Sequence, residues 1–352
     1  MRPFALPPET DAFLVTKLHN IRYLTGFTGS NAMLLLFGGD DAILYTDPRY
    51  TVQSKQQAGV DKNCRIKIAT GPLGKRVLKD VARLRVTRLG FEGDHLSFAQ
   101  FEGLKKQLPL SAELKPFSGT VEALRMVKDA TEIALIRASV NTNSKALDRA
   151  MKRLKIGMTE ADFAAEIDYQ SRKLGAESPA FDTIVAAGER AALPHAHPGA
   201  AKIGPGMLLI DMGAFQAGYA SDMTRMVHLG KAPQKYRAAY KAVLEAQLAA
   251  IDAIRPGVKT TAVDKAARDV LKAHGLDKEF VHSTGHGLGL EIHEPPRIGR
   301  KDKTVLRAGM AITVEPGIYI EGWGGIRIED TVLVTETGCE ILTPTSKELR
   351  VI

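Results

Sequence analysis

Four acidic side chains lie where acids are rarely found. Asp211 sits in MLLIDMGA, Asp222 in YASDMTRMV, Glu315 in AITVEPGIYI and Glu329 in GIRIEDTVLV, each within an apolar run of strand character. Asp and Glu are depleted from strands. Burying a carboxylate is costly unless it is paired or coordinates a metal. One such residue reads by default as half of a salt bridge; four of them require a common explanation. Asp211 and Asp222 flank a turn around residues 215–218. A hairpin symmetric about Gln216 and Ala217 sets the two aspartates directly opposite, with Cβ atoms ~4.5–5.5 Å apart on one face. Like charges that close repel unless a cation lies between them. The pattern predicts a dinuclear metal centre.

Histidines supply the nitrogen ligand. VHSTGHGLGLEIHEPP holds His282, His286 and His293, and the loop-like LPHAHPG holds His195 and His197. Any one of these alone reads as an ordinary surface or hydrogen-bonded residue. The glycines around His286 allow backbone to approach a metal or substrate closely. Carboxylates with one imidazole favour Mn²⁺, Fe²⁺, Co²⁺ or Zn²⁺ over a thiolate-selected metal. Two carboxylate-bridged ions ~3.5–4 Å apart activate water for hydrolysis.

The rest of the chain fits an ordinary globular enzyme. Its 352 residues suit about two domains. Residues 12–16, 33–37, 42–46 and 88–91 read as strands, alternating with helices over 50–58, 73–84 and 97–108, the last with Ser97 as N-cap. That alternation predicts a three-layer α/β unit. A long amphipathic helix over 123–152 follows, with the domain boundary just before it. Helices over 160–175 (N-cap Thr159), 234–255 and 261–274 come next. They are interleaved with strands over 183–187, 207–214, 219–229, 311–319 and 325–335, an α+β pattern. Cys64 and Cys339 fit neither a disulfide framework nor a zinc-finger spacing. The formal charge of +8 sits mostly in the front third, where the first 125 residues hold 18 basic and 12 acidic side chains. RVLKDVARLRVTR has no interleaved aromatics to stack bases, so nucleic acid is not an expected partner. No run approaches the ~20 apolar residues of a membrane helix, and no signal peptide is legible, so the expected setting is cytoplasmic.

DMGA, SDMTR, TGHGLG, VEPGIY and GIRIED resemble, in order, the metal-binding motifs of the pita-bread metallopeptidases. Within that superfamily the chain is similar to the proline-specific branch of aminopeptidase P and prolidase. NIRYLTGFTGSNA, TDPRY and LRMVKDATEIALIR extend the resemblance over essentially the whole chain. It implies a creatinase/prolidase-like α/β N-terminal domain over 1–124 and an α+β pita-bread catalytic domain over 125–352. It implies that Asp211 holds one metal, that Asp222 and Glu329 bridge both, and that His286 and Glu315 hold the second. Glu315 doubles as proton shuttle. His293 and His282 match substrate-side histidines that steady the tetrahedral intermediate, and His195 one that flanks the substrate, with His197 as its alternative. Arg327 matches an arginine that orients a ligand carboxylate. Trp323, in GWGG, is open between packing and substrate contact.

The implied cofactor is a pair of divalent ions, Mn²⁺ first and Co²⁺, Zn²⁺ or Fe²⁺ after it. The implied assembly is a homodimer. The expected reaction is hydrolysis of the Xaa-Pro bond, releasing the N-terminal residue of a peptide. The alternatives are a prolidase acting on Xaa-Pro dipeptides and, from another class, an inactive binding module of the same fold. Inactive members lose ligands, and none is lost here. PHAHPG and the front motif tilt the choice toward the aminopeptidase.

Overall fold

The computed structural model describes residues 1–352, which divide into two compact units, Met1–Arg125 and Met126–Ile352. The first unit runs β1 (Ala12–Val15), α1 (Leu18–Thr25), β2 (Ala32–Leu36), β3 (Ala42–Thr46), α2 (Thr51–Gln57), β4 (Cys64–Ile68), α3 (Leu73–Arg83), β5 (Arg88–Glu92), α4 (Phe98–Gln107), β6 (Glu113–Phe117) and α5 (Glu122–Arg125). Its six strands form one sheet in the order β4-β3-β2-β1-β5-β6. The central strands are apolar throughout because both faces are covered. Leu34, Leu36 and Leu44 pack with Ile21 and Leu24 on one side, while Leu35, Ile43 and Tyr45 pack with Val77 and Val81 on the other. This is the three-layer unit the sequence predicts. The two strands that apolarity does not reveal, β4 and β6, are its edges. They carry Arg65, Lys67, Lys115 and Pro116, as edge strands tolerate.

The second unit repeats one pattern twice. The helix pair α6 (Ala130–Met151) and α7 (Glu160–Lys173) is followed by β7 (Ser178–Pro179), β8 (Ile184–Ala187), β9 (Gly206–Met212), β10 (Ala214–Gln216), β11 (Tyr219–Ala220) and β12 (Met223–Leu229). A second pair, α8 (Gln234–Asp252) and α9 (Thr260–Ala273), precedes β13 (Gly285–Gly287), β14 (Glu294–Ile298), β15 (Ala311–Val314), β16 (Gly317–Ile320), β17 (Gly324–Arg327), β18 (Asp330–Val334), β19 (Cys339–Ile341) and β20 (Arg350–Val351). The main sheets are β20-β12-β9-β8 and β14-β13-β15-β18-β19. Phe163 and Ile167 of α7 pack on Leu208 and Ile210, and Val263 and Leu271 of α9 share a core with Ile312 and Val332. Gly157 and Gly257 take the same left-handed turn ahead of the second helix of each pair. This hundred-residue internal correspondence escapes a search for short repeats.

The long amphipathic stretch begins later than its periodicity predicts. Residues 122–125 form the separate α5, and α6 starts after Asp129. There the Asp129 carboxylate accepts from the Glu132 N–H at 2.9 Å while the Glu132 side chain accepts from the Asp129 N–H at 3.2 Å. This reciprocal cap terminates the helix more sharply than any apolar spacing can. Ser97 and Thr159 cap α4 and α7 as predicted. No helix is long and apolar enough to cross a membrane.

Asp129→Ala should lower stability by about 1 kcal/mol, read as a shift of the urea unfolding midpoint at unchanged slope.

Candidate metal centre

All four acid-bearing strand runs are interrupted near their acids. Asp222 falls between β11 and β12, Glu315 between β15 and β16, and Glu329 between β17 and β18; Asp211 is the penultimate residue of β9. The apolar runs are real, yet each is divided between two sheets. β15 joins the five-stranded sheet and β16 pairs only with β17. The break lets the carboxylate leave the ladder and face a shared cavity.

The hairpin register differs from the sequence expectation. Met212 pairs with Met223 and Asp211 with Thr224, so the turn centres on Ala217 and Gly218. Asp222 therefore lies diagonal to Asp211 and not opposite it. A shift of two residues preserves the side-chain face, so both aspartates still point the same way. The glycines around His286 also serve a different purpose. A Cβ on Gly285 would sit 2.0 Å from the Thr313 carbonyl oxygen, and one on Gly287 2.3 Å from that of Pro295. They let β14 and β15 close on β13, fixing His286 between two backbones.

A cavity of about 730 Å³ collects Asp211, Asp222, His286, Glu315 and Glu329 together with His195, His197, His282, His293 and Arg327. Every site residue predicted from sequence lines it. Ligand atoms of Asp222, His286 and Glu329 lie within 4.8 Å of one another. His286 Nε2 is 3.5 Å from both Asp222 Oδ2 and Glu315 Oε1. Its Nδ1 donates to the Gly287 carbonyl at 3.0 Å, which leaves the Nε2 lone pair directed at the acids.

The donor set fits divalent ions. Burial, and then the charge of Glu329 and Asp211, pushes Asp222 well above the ordinary carboxylate range. Burial, and then Glu315 and Asp211, does the same to Glu329. Burial is also the main reason Glu315 is pushed up to about 7. Asp211 Oδ1 and Glu329 Oε1 are buried with no hydrogen-bond partner. Orphaned carboxylate oxygens beside acids that resist ionising are what a bound cation would relieve.

Around the acids runs a network that sequence spacing does not reveal. Arg327, buried, donates to Asp211 Oδ2 at 2.6 Å, to Thr224 Oγ1 at 3.0 Å and to the Tyr319 hydroxyl at 2.6 Å. Thr224 in turn donates its hydroxyl hydrogen bond to Glu329 Oε2 at 2.7 Å. The backbone of Glu329 is held by Arg225, which donates to its carbonyl, to Asp330 Oδ1 at 2.6 Å and to the Thr345 carbonyl at 2.6 Å. His282 differs from expectation. Its Nδ1 donates to the Ser283 carbonyl at 2.7 Å, and its Nε2 lies 2.9 Å from the Tyr319 hydroxyl. Burial, reinforced by Arg327, lowers its pKa to about 4, so Nε2 accepts from Tyr319. Neither nitrogen is left to donate to substrate. His293 is exposed to the cavity, its ring edge-on to His286 at 4.3 Å. Trp323 packs on Tyr236 and lies outside the cavity lining. Tyr319, a tyrosine in an apolar strand, gives no sequence signal of its place at the centre of this network.

The family model for metallopeptidase family M24 matches residues 134–336, and that for the creatinase/prolidase N-terminal domain matches residues 9–127. The chain belongs to metallopeptidase family M24. It is similar to the Xaa-Pro dipeptidase of Pyrococcus furiosus, 38% identical over 96% of this chain and 95% of that one. Among solved structures it resembles an Xaa-Pro dipeptidase from Bacillus anthracis (38% identity, TM-score 0.93, covering 97% of this chain and 95% of that chain). It also resembles an X-Pro aminopeptidase from Thermotoga maritima (35% identity, TM-score 0.89, covering 97% and 98%). The fold is therefore a creatinase-type N-terminal domain followed by a pita-bread catalytic domain.

Metal-free protein should lose stability as pH rises. Glu315 carries a folded pKa of about 7 against 4.5 for the free side chain. Its contribution is present below 4.5 and is lost as pH rises through about 7, because the folded state binds the extra proton. Thermal melts in chelator should show a falling Tm across that window, and saturating Mn²⁺ should remove the fall, since ions replace the protons.

Proposed function

We propose that this protein is a dinuclear-metal dipeptidase that hydrolyses the peptide bond of Xaa-Pro dipeptides, with residues 1–124 as N-terminal domain and 125–352 as catalytic domain. The observation that carries this is the cluster of Asp222, His286 and Glu329, with Glu315 beside His286 and orphaned oxygens on Asp211 and Glu329. The sequence alone favours an aminopeptidase. Two observations favour the dipeptidase: several similar proteins carry that name, and the exposed cation Arg297 lines the cavity that holds the acids. A dipeptide presents its proline carboxylate close to the scissile bond, and an arginine fork suits it. On donor chemistry, Mn²⁺ is the first choice of ion. We take its setting to be the cytoplasm, the expectation from sequence, and its assembly to be a homodimer, as the resemblance implies.

In this reading Asp211 would hold one ion, Asp222 and Glu329 would serve both, and His286 and Glu315 would hold the second. When bound, such ions polarise a carbonyl and lower the pKa of water. The protein's own groups do the rest. Arg327 fixes Asp211 and, through Thr224, Glu329, so that both present defined oxygens. Glu315 takes the proton of the attacking water and delivers it to the proline nitrogen as the C–N bond breaks. The water oxygen stays on the carbonyl carbon. His293, on the cavity wall, faces the developing oxyanion, and His195 flanks the substrate. His282 acts at one remove: it accepts from Tyr319 and so orients the hydroxyl that receives Arg327. The Xaa-Pro amide has no N–H, so selection rests on the fit of the pyrrolidine ring and on the ends of the dipeptide.

Asp222→Ala should abolish metal binding and Ala-Pro hydrolysis together, read by metal analysis and by amine release. Full activity after exhaustive dialysis against chelator would sink the mechanism. Arg297→Ala should raise KM for Ala-Pro by about ten- to a hundredfold and leave kcat within a few-fold.

A further inference from the structure

A second cavity of about 720 Å³ adjoins the first and shares His282, Ser283, Arg297 and Asp302 with it. Its wall carries Lys278, Arg300 and Lys301, all exposed. None of these three cations is engaged in an ion pair. Arg268, also in the wall, is already used: it donates to Asp264 at 2.8 Å and to the carbonyls of Phe280 and His282. Asp302 is used as well, accepting from the N–H groups of Arg297 at 2.9 Å and Thr304 at 2.7 Å. Asp277 and Asp302 are the acids of this wall, set against Arg297, Lys278, Arg300 and Lys301, so the cavity is net positive.

Charge sets the direction in which a peptide crosses these two cavities. The ammonium end of a substrate is repelled by Arg297 and by the cations beyond it. The carboxylate end points toward Arg297 and the cations beyond it. Each added residue extends the chain by ~3.3–3.6 Å, so the third residue of a peptide passes Arg297 into the second cavity.

We infer that the cavity beyond Arg297 is a subsite for the carboxylates of a residue following proline, and that the enzyme also cleaves Xaa-Pro-Asp and Xaa-Pro-Glu tripeptides. This rests on the Xaa-Pro peptidase reading and extends its substrate class. An acidic third residue brings two carboxylates, its side chain and the C-terminus, to three solvent-exposed cations. Exposed pairs of this kind are individually weak and additive only in part, so the preference is moderate. It is also salt-sensitive, because the cations are open to solvent.

The test compares Ala-Pro, Ala-Pro-Asp, Ala-Pro-Gln and Ala-Pro-Lys with Mn²⁺-loaded enzyme. The expected kcat/KM for Ala-Pro-Asp exceeds that for Ala-Pro-Gln by about fivefold, and Ala-Pro-Lys is poorer still. The triple variant Lys278→Gln, Arg300→Gln, Lys301→Gln changes only exposed side chains. It should level the three tripeptides and leave Ala-Pro unchanged, and 0.5 M salt should act on the wild type in the same direction. Cleavage of Ala-Pro with no cleavage of tripeptides, or with no acidic preference, overturns the inference and spares the dipeptidase. So does an acidic preference that survives the triple substitution. Failure to cleave Ala-Pro or any tripeptide overturns the peptidase reading itself.

Discussion

Mutual repulsion among buried carboxylates is the constraint on which the catalytic unit depends. Asp222, Glu315 and Glu329 are enclosed with Asp211 in one cavity, and burial drives the first three away from their charged forms. A protein interior gives such a group little solvation, so the arrangement is tolerable only with protons or cations present. Much of the surrounding architecture serves to hold the acids in place against that repulsion. Arg327 neutralises one side, Thr224 links it to Glu329, and Arg225 pins the Glu329 backbone to the C-terminal segment.

The doubled helix-pair-and-sheet pattern explains how the acids meet. Asp211 and Asp222 come from the first half, and His286, Glu315 and Glu329 from the second. The helices of each half seal the outer face of its strands with apolar cores. The inner faces are left to carry chemistry. Because the clustered acids and His286 come from both halves, an ion bound among them would fasten the halves together and link metal affinity to the stability of this unit.

The division between ligands and supporting groups is also a division in what sequence reveals. An acid in an apolar run violates a local preference and is visible at once. Thr224, Tyr319 and Arg225 violate nothing, since threonine and tyrosine are ordinary strand residues and an arginine beside them reads as a surface charge. Their contacts join residues about a hundred positions apart in two cases, Thr224 to Glu329 and Arg225 to Asp330. The role of His282 shows the same limit. Its place near the site is legible, but its direction depends on Ser283 and Tyr319 occupying both ring nitrogens. In the N-terminal unit the four apolar strands are legible and the polar edges β4 and β6 are not, because an edge has one side open to water.

Sequence by itself determined the two-part α/β and α+β organisation, the capped helices and the four acids set in apolar runs, since each leaves a local signature in period, cap or composition. Tertiary structure decided the rest. It set the hairpin register that makes Asp211 and Asp222 diagonal, the breaks that turn Asp222, Glu315 and Glu329 out of their ladders, and the backbone approach at Gly285 and Gly287. It also placed Arg297 between two cavities. These are relations between strands distant in sequence. They follow from which backbones can pack together and not from the preference of any residue taken alone.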